Sequence, residues 1–511
     1  MLAVRVLFFT FESLYTRKVG GLAEASIRLA QGLASRGVRV EVYTPAHGSV
    51  DACRDPVFKL TLNSSEYCVA ELPETRPRHY AIGGGVLEDP EVYSPQRLLV
   101  KSLVYARVAS EYLARELSRE ELVVAHAHDW HSFPVLLALS ARAAEKRLRL
   151  RSVYQVHLLS KARISLDDLT RWLGVSPGTP LRGALGVKSL EEYYRESRGY
   201  VERLAGLVAD VVVTVSPRYA KSVMRAVGPA SWGRVSYVYN ASPLTWSEVA
   251  SVIKSRSARD PSRPETRREL RAEVLLRGIC SVKLVHPSRR VEEEVKRLIN
   301  HYDAACRPFK RSGPLLVGVG RTSKQKGFDF LVKSLDRLVG EVPSIRVVLV
   351  AAPMEHGADV LRELLEHTLL FPDNLRVLAG YISREDTICL YYVASATITP
   401  SRSEPFGLVA LESMAAGTPV AASRVDGLQD IVVDVRVAGS RGSGVLFNPL
   451  DREDLVESTA HLIKLVESPD PLSAEIRESC IKRASEFTWE KSAERLLEVY
   501  ASTPHPPSAS R

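Results

Sequence analysis

Long apolar runs are missing from this 511-residue chain. Nothing approaches the roughly 20 consecutive residues that a bilayer-spanning helix needs, so no membrane partner is expected. The N-terminal run MetLeuAlaValArgValLeuPhePhe is short and carries Arg5 in its middle, so it reads as a first strand rather than a signal peptide. Cysteine is sparse. The six residues Cys53, Cys68, Cys280, Cys306, Cys389 and Cys480 show no Cys-x-x-Cys and no zinc spacing. Buried free thiols in a reducing, cytoplasmic compartment are therefore expected, with one pairing left open for an extreme thermophile. Methionine occurs only 4 times, and asparagine and glutamine are scarce beside abundant arginine, as expected where thermolabile side chains are disfavoured. No basic stripe interleaved with aromatics is present, so the net charge of +9, mixed with 60 acidic residues, gives no reason to expect nucleic acid. The run from Arg142 to Arg151 reads as a solvated face.

What is present is a strand and helix alternation long enough for two α/β cores. Val4 to Phe11, a Gly-Gly turn, Ala23 to Ser35 at helical spacing and Arg39 to Thr44 form a βαβ unit. Further strands follow at Leu122 to His126, Ser152 to His157 and Val211 to Ser216. A second series runs through Leu315 to Gly320, Ile345 to Ala351, Leu375 to Leu378, Ala396 to Pro400, Val420 to Ala422 and Gly444 to Phe447. Phe328 to Leu338 and Gly407 to Ala416 are its helices. The fold class is α/β, two doubly wound Rossmann-like domains facing each other across a cleft. Residues 1–243 form the first domain, with a helical insertion at about 165–198, and residues 244–485 the second. Residues 486–511 supply a helix that packs back on the first domain, and a tail from Thr503. Tyr239 to Trp246 reads as the hinge, and Arg256 to Lys310 as helical and surface-exposed.

The chemistry-bearing residues gather at strand ends, where open parallel sheets bind ligands. Lys18, Gly20 and Gly21 lie between the first strand and the first helix. There the glycines permit close backbone approach, and free N–H groups favour an anion. His126-Ala127-His128-Asp129-Trp130-His131 ends another strand; no second cluster completes a metal shell, so no metal is expected, and Asp129 is read as an acceptor for a sugar hydroxyl. His157 ends a third strand. In the second half, Arg321 and Lys326 stand five positions apart after a strand, placed to meet the charge on a departing diphosphate. Glu404 precedes a helix whose first residues, Gly407, Leu408 and Val409, offer backbone N–H groups to a phosphate, and Glu412 lies on that helix.

LysValGlyGlyLeuAlaGlu from Lys18, HisAlaHisAspTrpHis from His126 and the Glu404 to Glu412 spacing together resemble the glycogen and starch synthases, those of the archaeal type included. More widely they resemble the GT-B glycosyltransferases with a Glu-x7-Glu motif. The likeness spans both halves. It implies a retaining, metal-independent hexosyltransferase without a cofactor. Such an enzyme transfers glucose from ADP-glucose or UDP-glucose to the non-reducing end of an α-1,4-glucan. It implies Arg321 and Lys326 on the diphosphate, Glu404 on the glucose, Glu412 on the ribose, Tyr381 after Gly380 stacked on the base, and the His157 carbonyl near the anomeric carbon. Two departures stand out. Asn240-Ala241-Ser242-Pro243 replaces the Asn-Gly-Ile-Asp frequent at the hinge, and Leu158 and Leu159 follow His157 where bacterial members commonly place asparagine. The rival readings are a GT-B enzyme with a small sugar or lipid acceptor, and a non-catalytic sugar-binding relative. The donor nucleotide and the choice between monomer and homo-oligomer are left open.

Overall fold

The computed structural model describes residues 4–277, 289–302, 307–354 and 357–502. Cys280, Cys306 and the tail from Thr503 lie outside them. The chain divides into two units, one of Met1–Ala241 with Thr488–Arg511 and one of Ser242–Phe487. The first boundary falls inside the Tyr239 to Trp246 stretch. Thr245 then caps the helix Trp246–Ser257, its side chain accepting from the Glu248 amide.

Unit 1 is built on eleven strands: β1 Val4–Phe9, β2 Arg39–Pro45, β3 Phe58–Leu62, β4 Ser65–Leu72, β5 Arg78–Gly83, β6 Leu122–His128, β7 Arg149–Val156, β8 Pro180–Gly183, β9 Gly186–Ser189, β10 Val211–Thr214 and β11 Val235–Tyr237. Nine of them form one sheet in the order β11-β10-β7-β6-β1-β2-β5-β4-β3. It is parallel except where β4 runs antiparallel to β3 and β5. Strand order reverses between β1 and β6, the kind of switch point where such sheets open a ligand crevice. One face buries Val6, Phe8, Val42, Val124, Val153 and Val213 with Leu496 and Val499 of the C-terminal helix Trp489–Ser502. That helix seats against the helix Gly21–Ala34 because Gly32 has no side chain. A Cβ there would lie 3.0 Å from the Trp489 carbonyl oxygen.

Unit 2 carries β12 Leu315–Arg321, β13 Arg346–Ala352, β14 Leu375–Ala379, β15 Ala396–Thr399, β16 Val420–Ser423 and β17 Gly444–Phe447. They form one parallel sheet in the order β14-β13-β12-β15-β16-β17, reversing between β12 and β15.

Several expectations need correction. The 165–198 insertion is not wholly helical: the β8–β9 hairpin stands between the helices Leu166–Leu173 and Leu190–Ser197. Phe328 to Leu338 is two helices, Phe328–Val332 and Leu335–Glu341. At the break, the Ser334 hydroxyl donates 2.9 Å to the Phe330 carbonyl, in competition with the helical ladder. Arg142 and Arg151 are buried rather than solvated. Arg142 meets Glu111 at 2.6 Å, and Arg151 donates to the Tyr500 carbonyl. Within the Arg256 to Lys310 stretch, Arg267 and Arg271 are buried as well. Arg267 donates 2.9 Å to the Ala416 carbonyl, and Arg271 meets Glu467 at 2.6 Å. Cys53 and Cys68 form a disulfide across 15 residues, with Cα atoms 5.2 Å apart, where free thiols were expected; Cys389 and Cys480 are buried and free.

Candidate active site

In unit 1 the loop after β1 is shaped by a carboxylate that its sequence pattern did not single out. Glu12 Oε2 accepts from the amides of Val19 at 2.8 Å and Gly20 at 2.7 Å, and Oε1 accepts from the Tyr93 hydroxyl. Tyr93 is carried by a segment that Lys101 pins, its ammonium donating to the carbonyls of Asp89 at 3.0 Å and Glu91 at 2.8 Å. Burial lowers the Lys101 pKa to about 8. The first two amides of the glycine turn thus already face a carboxylate, which sets the turn's shape. Lys18 reaches outward to Glu24 at 3.0 Å. Burial works against ionisation of Glu24, but hydrogen bonds from Arg28 and Lys18 prevail and hold its pKa below the usual value.

The ends of β6 and β7 are tied together by buried groups. Asp129 starts the helix Asp129–Lys146 with φ at 60°, a left-handed conformation that aspartate tolerates. Its Oδ1 accepts from the amides of His157 at 2.6 Å and Leu158 at 3.1 Å. The Leu159 amide donates 2.8 Å to the Tyr219 hydroxyl oxygen, and the Ser160 amide 2.9 Å to Glu202 Oε1. Four successive amides are therefore held by side chains from elsewhere in the unit. Burial pushes Asp129 up to about 8 and Glu202 up to about 7, and the Tyr154 hydroxyl donates 2.7 Å to Glu202 Oε2. His128 Nδ1 and His157 Nε2 share a hydrogen bond at 2.9 Å. Burial lowers the pKa of His126 and His157 to about 3 and that of His128 well below its ordinary value, so all three rings are neutral near pH 7.

In unit 2 the candidates gather at the switch between β12 and β15. Gly327, at φ +70°, lets the loop after β12 pass the Pro400 carbonyl, where a Cβ would lie 1.9 Å from the oxygen. Beyond that close approach the two loops are laced. The Arg402 amide donates 2.8 Å to the Gln325 carbonyl, Gln325 Nε2 donates 3.0 Å to the Ser403 carbonyl, and Arg402 grips both Asp329 oxygens at 2.8 and 2.7 Å. This lacing sets Lys326 Nζ 2.7 Å from Glu404 Oε2, which also accepts from the Ser401 hydroxyl at 2.8 Å. The guanidinium of Arg321, last residue of β12, pairs with none of the described residues. Gly407, at φ +117°, leads into the helix Leu408–Ala415; the Ala410 amide already donates 3.0 Å to the Gly407 carbonyl, while the Leu408 and Val409 amides lie ahead of the helical ladder. Glu412 accepts from the buried Tyr391 hydroxyl at 2.9 Å. Tyr381, 41% exposed, follows Gly380 beyond β14.

Lys18, Gly20, Gly21, Asp129 and His157 thus fall at the carboxyl ends of three neighbouring strands, β1, β6 and β7. Arg321 ends β12 and Lys326 follows it, while Glu404, Gly407, Leu408, Val409 and Glu412 follow β15, the neighbour of β12. Tyr381 stands apart, two strands from β12. Glu12 was missed by the sequence reading, although its place three residues past β1 is a signal that could have found it. Nothing local flagged Glu202, Tyr219 or Lys101.

Residues 5–230 match the family described as starch synthase catalytic domain, and residues 307–502 the family described as glycosyl transferases group 1. A glycogen synthase of Alkalilimnicola ehrlichii is 26% identical over 98% of this chain and 99% of its own length. A D-inositol 3-phosphate glycosyltransferase of Thermobispora bispora reaches 34%, but over 36% of this chain and 42% of its own. Among solved structures, the catalytic domain of starch synthase IV from Arabidopsis thaliana, bound to ADP and acarbose, superposes with a TM-score of 0.70. The match is 18% identical and covers 98% of this chain and 99% of that one.

Proposed function

Because the chain belongs to the glycogen and starch synthase family, a GT-B glycosyltransferase family, we propose that it transfers glucose from a nucleoside diphosphate glucose to the non-reducing end of an α-1,4-glucan, with retention and without a divalent metal. The observation that carries this reading is the unpaired Arg321 guanidinium on the same switch point as the Lys326–Glu404 pair. A glycosidic bond to a diphosphate breaks with charge building on the leaving oxygen, and a cation held in place before the reaction lowers that barrier. Arg321 has no partner to leave among the described residues. Lys326 is held by Glu404 until an anion arrives, which frees Glu404 to accept from glucose hydroxyls. The first-turn amides of Leu408 and Val409 add donors for a phosphate, Glu412 serves the ribose and Tyr381 the base.

Unit 1 supplies the sugar side. Asp129 acts on the sugar through the backbone it fixes at His157 and Leu158, and the His157 carbonyl faces the anomeric carbon. Lys18 exchanges Glu24 for donor phosphate. Attack from the face the diphosphate leaves accounts for the proposed retention. No described helix is long and apolar enough to cross a membrane, and a cytoplasmic site of action fits this reading. The small-acceptor reading draws on a match to 36% of the chain.

Incubation with ADP-glucose or UDP-glucose and maltooligosaccharides, with and without EDTA, tests the proposal. Extension of the oligosaccharide with either donor, unchanged by chelator, is expected. No extension with either donor contradicts the transfer, and activity lost in EDTA and restored by one metal contradicts metal independence.

A further inference from the structure

The sheet face beneath the C-terminal helix is apolar along most of its length and polar at one end. On β6, Val124 belongs to the core cluster, while His126 and His128 follow at the same side-chain phase; on β7, Val153 is followed by Gln155, which pairs in register with His128. The two imidazoles stack at 4.5 Å with 7° between their planes, and Phe8 lies 4.8 Å from each. At one end of the stack, His126 Nδ1 and the Tyr500 hydroxyl share a hydrogen bond at 2.7 Å; at the other, His128 Nδ1 and His157 Nε2 share one at 2.9 Å. The four rings form a ladder from the last helix of the chain to the end of β7.

This ladder is a poor device for stability. The Nε2 atoms of both stacked histidines and the Gln155 amide are buried; Gln155 interacts with His126, but none of these atoms has a hydrogen bond of ordinary geometry among the described residues. Each such group carries a desolvation penalty that valine in its place would avoid. The ladder's one outlet from the core is His157.

We infer that Tyr500 is a positioning residue: through His126 and His128 it fixes the ring of His157, which the reading above places beside the transferred sugar. The Tyr500 hydroxyl sets the plane of His126. Stacking passes that plane to His128, whose Nδ1 then holds one nitrogen of His157. In a neutral imidazole one nitrogen donates and the other accepts, so the shared proton also decides the character of His157 Nδ1. The last helix is seated firmly enough to act this way. Arg151 donates to the Tyr500 carbonyl, Ser492 Oγ donates 2.6 Å to the Tyr239 carbonyl, and Arg36 meets Glu494 at 2.6 Å. The C-terminal helix is in this sense a part of the sugar site of unit 1.

Tyr500→Phe removes one hydroxyl and leaves the buried ring. It is expected to lower kcat roughly five- to tenfold, the scale of one hydrogen bond, with donor and acceptor KM nearly unchanged. In a His157→Ala background the same change should have no further effect. Leu496→Ala, on the same helix and in the apolar core but off the ladder, should lower the melting temperature while kcat well below the melt stays parental. Parental kcat in Tyr500→Phe overturns the inference, as does an equal loss in the His157→Ala background or a matching kcat loss in Leu496→Ala. Long-range 1H–15N spectra of histidine-labelled protein, with His157 assigned by its loss in His157→Ala, read the ladder without turnover. The His157 ring nitrogens are expected to shift in Tyr500→Phe, and unchanged shifts overturn the inference even in a protein that transfers no glucose.

Discussion

At the ends of β6 and β7 the polar groups are buried and kept uncharged, whereas at the ends of β12 and β15 they are ionic. Burial lowers His126 and His157 to about 3 and raises Asp129 to about 8 and Glu202 to about 7, so these groups stay uncharged between about pH 3 and 7. The other region keeps Lys326 against Glu404, Arg402 against Asp329, and Arg321 with no described partner. A transfer from a diphosphate to a sugar has a neutral side and an anionic side. The proposed roles follow from that contrast: groups kept neutral suit contact with hydroxyls, and fixed cations suit the charge that builds on a leaving oxygen.

The comparison breaks most sharply on the cations. Arg321→Ala and Lys326→Ala are each expected to lower turnover about a hundred- to thousandfold. Their stabilities should differ. Arg321 has no partner to lose among the described residues, so Arg321→Ala stays within roughly 0.5 kcal/mol of the parent. Lys326→Ala leaves Glu404 half-answered in a buried place and should cost about 1–3 kcal/mol. The double variant should lose less turnover than the two losses combined, since both cations serve one diphosphate. Steady-state transfer beside a thermal melt reads both. Equal turnover losses with equal destabilisation of both variants would mean the two cations are structural.

Next in size is the Cys53–Cys68 disulfide of unit 1, which closes a loop of 15 residues. Such a link stabilises by about 3 kcal/mol, chiefly by restricting the unfolded chain. Reduction, or Cys53→Ser with Cys68→Ser, should lower the melting temperature of the unit that holds it and leave kcat below the melt unchanged. A loss of kcat without a loss of stability would place the loop in the chemistry.

The smallest effect is on pH dependence. Asp129 and Glu202 have folded pKa values raised from 3.8 and 4.5 to about 8 and about 7. The folded state therefore holds protons that the unfolded chain has released, and stability falls as pH rises from about 4 through 8; the contribution of these two groups is fully present below that window and lost above it. Glu202→Gln should flatten the fall in melting temperature between pH 5 and 8 while its amide oxygen still accepts from Ser160. An identical slope in parent and variant would show that Glu202 ionises normally.

How much of this was legible in the sequence follows from distance along the chain. The central strands of both sheets announce themselves as apolar runs, and the rule that ligands meet parallel strands at their carboxyl ends singles out Lys18, Asp129, His157, Arg321, Lys326 and Glu404. The antiparallel edge from β3 to β5 was not legible, because its half-buried strands mix polar and apolar residues, as PheLysLeuThrLeu does. Arg151, Arg267 and Arg271 looked like surface residues because their partners, backbone carbonyls and one glutamate, lie more than a hundred residues away. The same holds for Tyr500 and His126, 374 residues apart. Glu202, 42 residues from Ser160, has no local signature because what it satisfies is a backbone amide.

The central claim, that cations after β12 answer the charge on a departing diphosphate while neutral groups of unit 1 receive the sugar, is tested most directly by the product. In EDTA, parent protein with nucleoside diphosphate glucose and a maltooligosaccharide, followed by NMR of the anomeric proton, should yield a chain extended through a new α-1,4 bond with one diphosphate released per glucose, and Arg321→Ala should form the same product about a hundred- to thousandfold more slowly. A β-linked product, or an Arg321→Ala variant that extends the chain at the parental rate, would contradict it.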